Sequence, residues 1–387
     1  MFYLREKIAF PDSIRLKMES IFFQEGKKSE QLYAKSLLSL WKKLALERGQ
    51  TKEAHYSFQF AEAQAYAAYY MPINCLKAPL VLEEALLLGN NIFPNQKNVW
   101  LDVGTGPGTT LLGLQWWLKE RNLDLDFLGI DQSDHFLKIA EQVSKSSSPN
   151  ARARFSSTKK QSILRYLEDS KATHLCFLNS IAEIYPSLED RKGKIHDLLE
   201  LMKKLSFIDK KKRFLILIDP ASKSSSREMA ELKDFCKTNH SVLLPCLDNR
   251  DCGALKKAED WCHEEVACEF PEWVQSIGSA ASLQKEAILF SYLVLEVGAE
   301  SQQDSRVRVV SQRLERKGQT ECWICKREGK QMVRAQKSKV NDFSSLVFGV
   351  NRGEIWDQFS CAEKGDLLKA EPMKESVPTV FKTQSSA

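Results

Sequence analysis

The chain has 387 residues, 43% hydrophobic and 28% charged, with a formal net charge of +5. That is an ordinary soluble composition, with enough apolar material for one large domain or two modest ones. No apolar run reaches the roughly 18 residues that a bilayer-spanning helix needs. Residues 1–28 lack the apolar core of a secretory signal and carry Glu6, Asp12, Glu19 and Glu25, unlike an acid-poor transit peptide. A cytoplasmic protein is expected, whose ten cysteines stay reduced, so that metal or cluster ligation outranks a disulfide framework.

Residues 1–95 read as a helical cap. Tyr33, Leu37, Leu40, Trp41 and Leu44 recur every three or four residues and make one apolar stripe. Glu53–Tyr70 reads as a second helix ended by Pro72, and Pro79–Leu88 as a third, stopped by Gly89-Asn90-Asn91. The aromatic run Tyr66, Tyr69 and Tyr70 is expected to pack in the core.

From Asn98 the pattern alternates between strands and helices, which predicts a parallel, doubly wound α/β sheet over 96–300. The strands are Asn98–Val103, Asp126–Ile130, a weak Ala151–Phe155, His174–Asn179 and Arg213–Ile218. The helices are Thr109–Glu120, Asp134–Val143, Ser162–Glu168 and Lys192–Leu205. Ala287–Val297 and Arg306–Val310 are strand-like and lead into a basic, strand-rich extension over 301–350. The tail, 351–387, reads as partly disordered, with Cys361–Ala387 polar and without periodicity.

The first strand runs into Asp102-Val103-Gly104-Thr105-Gly106-Pro107-Gly108 and then a helix. Glycines there let a ligand approach the backbone at a helix N-terminus. The dinucleotide fingerprint would need Gly or Ala at Thr109, and no Gly-Lys-Ser/Thr follows for a phosphate loop. The run instead resembles the D/E-x-G-x-G-x-G of class I methyltransferases, which bind S-adenosylmethionine. Asp131, closing the second strand, stands where a carboxylate can accept from both ribose hydroxyls, or simply cap the next helix. Asn179, Ser180, Asp219 and Pro220, at later strand ends, should face the same pocket. The cofactor candidates are therefore Asp102, Gly104, Gly106, Gly108, Asp131 and Asn179. No Asn-Pro-Pro-Tyr or cysteine nucleophile motif names the methyl acceptor, and no catalytic residue is assigned.

Eight of the ten cysteines follow the fifth strand. Cys246, Cys252 and Cys262 fall in a polar stretch, 245–270, and Cys322-Trp323-Ile324-Cys325 has a knuckle-like spacing. Thiols in such surroundings suit zinc or an iron–sulfur cluster. Arg306–Lys339 holds eleven Lys or Arg against three Glu, a local excess that points to a polyanionic partner.

One combination is more specific. Asp102–Gly108, Pro245-Cys246-x5-Cys252, Trp261-Cys262-His263, Phe290-Ser291-Tyr292-Leu293, Arg308-Val309-Val310 and Ile324-Cys325-Lys326-Arg327-Glu328-Gly329 together resemble the ribosomal small subunit methyltransferase-like family. That family comprises mitochondrial small-subunit assembly factors and bacterial relatives, and the likeness runs from about His55 to Lys339. It implies a class I methyltransferase fold, binding to the small ribosomal subunit, and a 4Fe–4S cluster held by four cysteines; the basic segment 306–339, with Trp323 among its cations, is the surface expected to meet rRNA phosphates. Carried onto this chain, the ligands are Cys246, Cys252, Cys262 and Cys325, with Cys268 and Cys322 spare. The chain departs from the pattern at Leu247, where the family has Pro-His, and at Gly253, where it has proline. The expectation is an S-adenosylmethionine-binding protein acting on or with small-subunit rRNA. A non-catalytic, cluster-bearing assembly factor and a small-molecule methyltransferase are the alternatives.

Overall fold

The computed structural model describes residues 7–25, 27–47, 59–95, 97–145, 151–158, 162–300, 304–326, 329–339, 342–356, 361–364 and 367–370. The described residues begin with a short strand, β1 (Ile8–Ala9), followed by the helices α1 (Asp12–Phe22), α2 (Lys27–Glu47), α3 (Phe60–Asn74) and α4 (Lys77–Leu87). The α/β body follows as β2 (Val99–Val103), α5 (Thr109–Arg121), β3 (Leu125–Asp131), α6 (Asp134–Lys145), β4 (Ala151–Ser157), α7 (Ile163–Ser170), β5 (His174–Leu178) and a one-turn α8 (Ile181–Ile184). It continues through α9 (Leu188–Asp209), β6 (Phe214–Pro220), α10 (Lys223–Cys236), β7 (Ser241–Leu244), β8 (Glu264–Glu269), α11 (Glu272–Ala281) and β9 (Ala287–Glu296). A C-terminal lobe holds β10 (Val307–Val309), β11 (Leu314–Arg316), β12 (Gln319–Lys326), β13 (Gly329–Gln336), α12 (Asp342–Phe348), β14 (Ile355–Trp356), β15 (Cys361–Lys364) and β16 (Leu367–Ala370).

The central sheet has nine strands in the order β1-β8-β9-β6-β5-β2-β3-β4, with β7 also paired to β9. Its inner strands are parallel, and β9 runs antiparallel to β6. Alternate side chains of one strand enter opposite cores: Phe214, Ile216 and Ile218 pack under the helical cap, whereas Leu215 and Leu217 pack on the α7, α9 and α10 side. Burial on both faces is why these strands read as continuous apolar runs. The lobe is a seven-stranded sheet with a small core of its own around Val309, Cys322, Ile324, Val333 and Trp356.

Several expectations need correction. Pro72 does not end its helix, because α3 continues to Asn74. A proline removes the hydrogen bond to the carbonyl four residues back. Here that carbonyl, Ala68 O, accepts from the indole Nε1 of Trp273 at 3.2 Å, so tertiary packing makes good the loss. The cap is not wholly helical, since Ile8 and Ala9 add a parallel strand beside Cys268 and Glu269. The fifth expected strand, β6, runs two residues past Ile218, so that Asp219 and Pro220 pair with Ser291 and Phe290 at its end. Part of the tail forms strands: β16 pairs in parallel with β13 and in antiparallel with β15. Residues 53–58 of the expected second helix and 371–387 of the tail lie outside the described residues.

Candidate functional site

The glycine turn is built by left-handed backbone. Gly104, Gly106 and Gly108 have φ of 71°, 55° and 84°, a region costly for any residue with a Cβ. The N–H groups of Gly104 and Thr105 donate to Ile130 O at 2.9 and 3.1 Å, fastening the turn to the end of β3. A Cβ on Gly104 would stand 2.5 Å from that of Ser180, whereas one on Gly106 would meet open space. The middle of the turn is therefore the part a ligand can reach.

Asp131 holds the turn in shape. Its Oδ2 accepts from Gly106 N–H and its Oδ1 from Ser133 N–H, both at 2.8 Å. Asp131 thus clamps both the glycine turn and the bend ahead of α6, whose first turn is met by the Ser133 hydroxyl, accepting from Phe136 N–H at 3.4 Å. Asp102 is fully buried, and burial pushes its carboxyl up to about 6. Its Oδ1 accepts from the Thr110 hydroxyl at 3.2 Å, and its Oδ2 has no partner. Asn179 follows β5 with φ 56°, and its Oδ1 accepts from Lys77 Nζ at 3.2 Å. All six cofactor candidates thus gather around the carboxyl ends of β2, β3 and β5, where doubly wound folds bind ligands.

The cysteine-bearing segment is an insertion between β7 and β8, which pair with successive stretches of the same face-spanning strand, β9. Its shape is fixed by side-chain contacts to backbone groups. Asn249 Oδ1 accepts from Val242 N–H at 2.8 Å, and Arg227 Nη1 donates to the carbonyls of Lys257 and Asp260 at 2.8 and 2.7 Å. Gly253 lets the segment touch the β12–β13 hairpin: a Cβ there would lie 2.5 Å from Lys330 N. Lys330 Nζ also meets Asp260 Oδ1 at 2.5 Å.

Cys246, Cys252, Cys262 and Cys325 consequently line a single cavity of about 60 Å³, walled also by Tyr292 and Pro245. Burial first, then the charges of the other thiols, pushes Cys252 up to about 11, Cys325 up to about 12 and Cys262 higher still. Among the described residues, no group of three or more His, Cys, Asp or Glu is placed to hold a single metal ion. Cys268 and Cys322 are buried in apolar cores, away from this cavity. Sequence reasoning passed over three participants. Lys77 and Glu84 are charges inside the apolar helix α4, and Arg308 was read as part of the basic segment and of the family pattern, with no role given to its charge. Arg308 Nη1 meets Glu84 Oε1 at 2.5 Å and the Tyr292 hydroxyl donates to Glu84 Oε2 at 2.5 Å, beside the thiol cavity.

The strand order β4-β3-β2-β5-β6, continued by antiparallel β9, with a glycine turn after β2, defines a class I S-adenosylmethionine-dependent methyltransferase fold. Within that class the chain belongs to the mitochondrial small ribosomal subunit Rsm22 family, whose pattern matches residues 60–369. No curated protein sequence matches it. Solved structures that resemble it include an O-methyltransferase family protein from Burkholderia thailandensis, at 11% identity over 70% of this chain and 71% of that one, with a TM-score of 0.37. A class I S-adenosylmethionine-dependent methyltransferase from Listeria monocytogenes matches at 13% identity, over 74% and 88% of the two chains, with a TM-score of 0.33. The citrinin polyketide synthase CMeT domain matches at 13% identity and a TM-score of 0.35; 63% of this chain is covered, but only 58% of that domain.

Proposed function

We propose that this protein binds S-adenosylmethionine at the glycine turn and works on or with small-subunit rRNA, in the cytoplasm, during small-subunit assembly or translation. The observation that carries the reading is a single family match, 60–369, that takes in both the glycine turn and all four converging thiols. The bound cofactor would supply a methyl group on a sulfonium. Asp131 would meet the ribose hydroxyls, Gly106 would let the cofactor approach the backbone, and Asn179 would stand at the acceptor side.

Cys246, Cys252, Cys262 and Cys325 would hold a 4Fe–4S cluster. Zinc draws four sulfurs to about 2.3 Å from one point, whereas a cluster spreads its ligands around a larger body. Four thiols lining one cavity support a shared group held by all of them, and the family resemblance favours the cluster, with zinc as the alternative. Such a group would take the place of the thiol protons and tie the inserted segment to β12. The basic segment would then present the remaining solvent-facing cations to rRNA phosphates.

The test is to purify the protein without oxygen, measure iron, sulfide and visible absorbance, and then incubate it with methyl-labelled cofactor and immature small-subunit particles. About four irons per chain, lost in Cys262→Ser, are expected; a colourless protein whose iron content ignores the cysteines would overturn the cluster. Label in one rRNA nucleotide supports transfer. Ser180 favours a second reading, a factor that binds without transfer, because its hydroxyl turns back to Val103 O at 2.5 Å instead of toward an acceptor. Salt-sensitive particle binding without label would select it. Absence of particle binding at low salt would instead favour a small-molecule acceptor.

A further inference from the structure

Lys77 is the first residue of α4, and the cap places it over the carboxyl ends of β5 and β6. It is 3% exposed, and its ammonium donates to Asn179 Oδ1 at 3.2 Å. Asp219, in β6, is 2% exposed, and its Oδ1 has no hydrogen-bond partner. A lysine and an aspartate serving only the fold would close into an ion pair or give way to apolar side chains, since a buried polar atom without a partner is costly. The site is contiguous with the glycine turn: Gly104 packs on Ser180, the residue after Asn179.

We propose that Lys77, Asn179 and Asp219 form a proton-handling site for an acceptor bearing an N–H or O–H. The inference rests on S-adenosylmethionine being the cofactor of the adjoining turn. A sulfonium cation entering beside Lys77 drives off the ammonium proton. On transfer, the acceptor heteroatom bonds to the methyl carbon, the carbon–sulfur bond breaks with its electron pair left on sulfur, and the acceptor's proton passes to the free Lys77 amine. Asn179 aims that amine, and Asp219 stabilises the ammonium once the neutral thioether remains.

The surroundings make the exchange feasible near neutral pH. Burial brings Lys77 down to about 7, opposed by Asp219 and reinforced by Lys285. Burial brings Asp219 up to about 7, opposed by Lys77 and Arg191 and reinforced by Glu228. Arg191 and Glu228 pair with each other at 2.9 Å, so they add little net charge.

Calorimetric titration of S-adenosylmethionine and S-adenosylhomocysteine at pH 7, in buffers of different ionisation enthalpy, counts the protons exchanged on binding. The sulfonium ligand is expected to release up to about one proton, roughly half from Lys77 and half from Asp219, each half-protonated at this pH, and the thioether none. In Lys77→Met the release should fall by about half, to what Asp219 supplies, and the preference for the sulfonium ligand should rise by about tenfold, one pKa unit of interaction. Asp219→Asn, which keeps the lysine, should lower the release, and serves if Lys77→Met does not fold. Equal proton exchange for the two ligands in the native protein would overturn the inference while leaving the cofactor assignment standing. Failure of both ligands to bind would overturn both.

Discussion

His174 lies fully buried in β5, its ring stacked at 5.0–5.4 Å on Phe93, Trp100 and Phe214. Its Nε2 donates to Ile92 O at 2.7 Å, and burial holds it down at about 4, against an ordinary 6.5. The unfolded chain therefore takes up a proton below pH 6.5 that the native state refuses until about pH 4. Stability is lost as pH falls through that window, by about 3 kcal/mol in full. His174→Phe keeps the stacking but removes the titration. It should lower stability at pH 8 by leaving Ile92 O unpaired, and flatten the curve between pH 6.5 and 4. Urea unfolding at stepped pH reads both effects; an unchanged acid slope would exclude His174 as its source.

Helix α4 connects the two candidate sites. Lys77 at its start reaches Asn179, Glu83 accepts from Trp117 Nε1 at 3.0 Å and pairs with Arg121, and Glu84 binds Tyr292 and Arg308. Arg308 and Glu84 are both nearly inaccessible, so removing one strands the other's charge. Arg308→Met should cost about 3–5 kcal/mol in urea unfolding, whereas Arg308→Met combined with Glu84→Leu should recover most of the loss. A double variant as unstable as the single one would show that packing, not the stranded carboxylate, sets the cost.

The C-terminal lobe spends much of its positive charge internally. Arg308 is committed to Glu84, Lys330 to Asp260, Arg316 and Arg334 to Glu321, and Lys337 to Glu315. Lys317, on the β11–β12 turn, and Lys339, after β13, are exposed. The local excess of basic residues therefore overstates the lobe's phosphate-binding capacity. Lys317→Glu with Lys339→Glu should weaken binding to small-subunit particles and reduce the logarithmic salt slope by about 2, roughly one per lost phosphate contact. Thermal stability should barely change, because both side chains are solvated. An unaltered slope would move the RNA-facing surface elsewhere.

How much was legible in the chain follows from the range of the forces involved. The strands β2 to β6, the glycine turn and the acidic strand end at Asp131 were readable because alternation, glycine spacing and helix starts are local. The four ligating candidates were readable only through a resemblance, as their spacing matches no compact metal motif. Nothing local could reveal that Trp273 would rescue the carbonyl freed by Pro72, or that Leu367–Ala370 would pair with β13. Nor could it show that Lys77 would meet Asn179, 102 positions away. Those outcomes depend on burial. A charge in an apolar helix reads as a solvated face until the partner that desolvates it is known, and that partner is supplied only when distant segments pack.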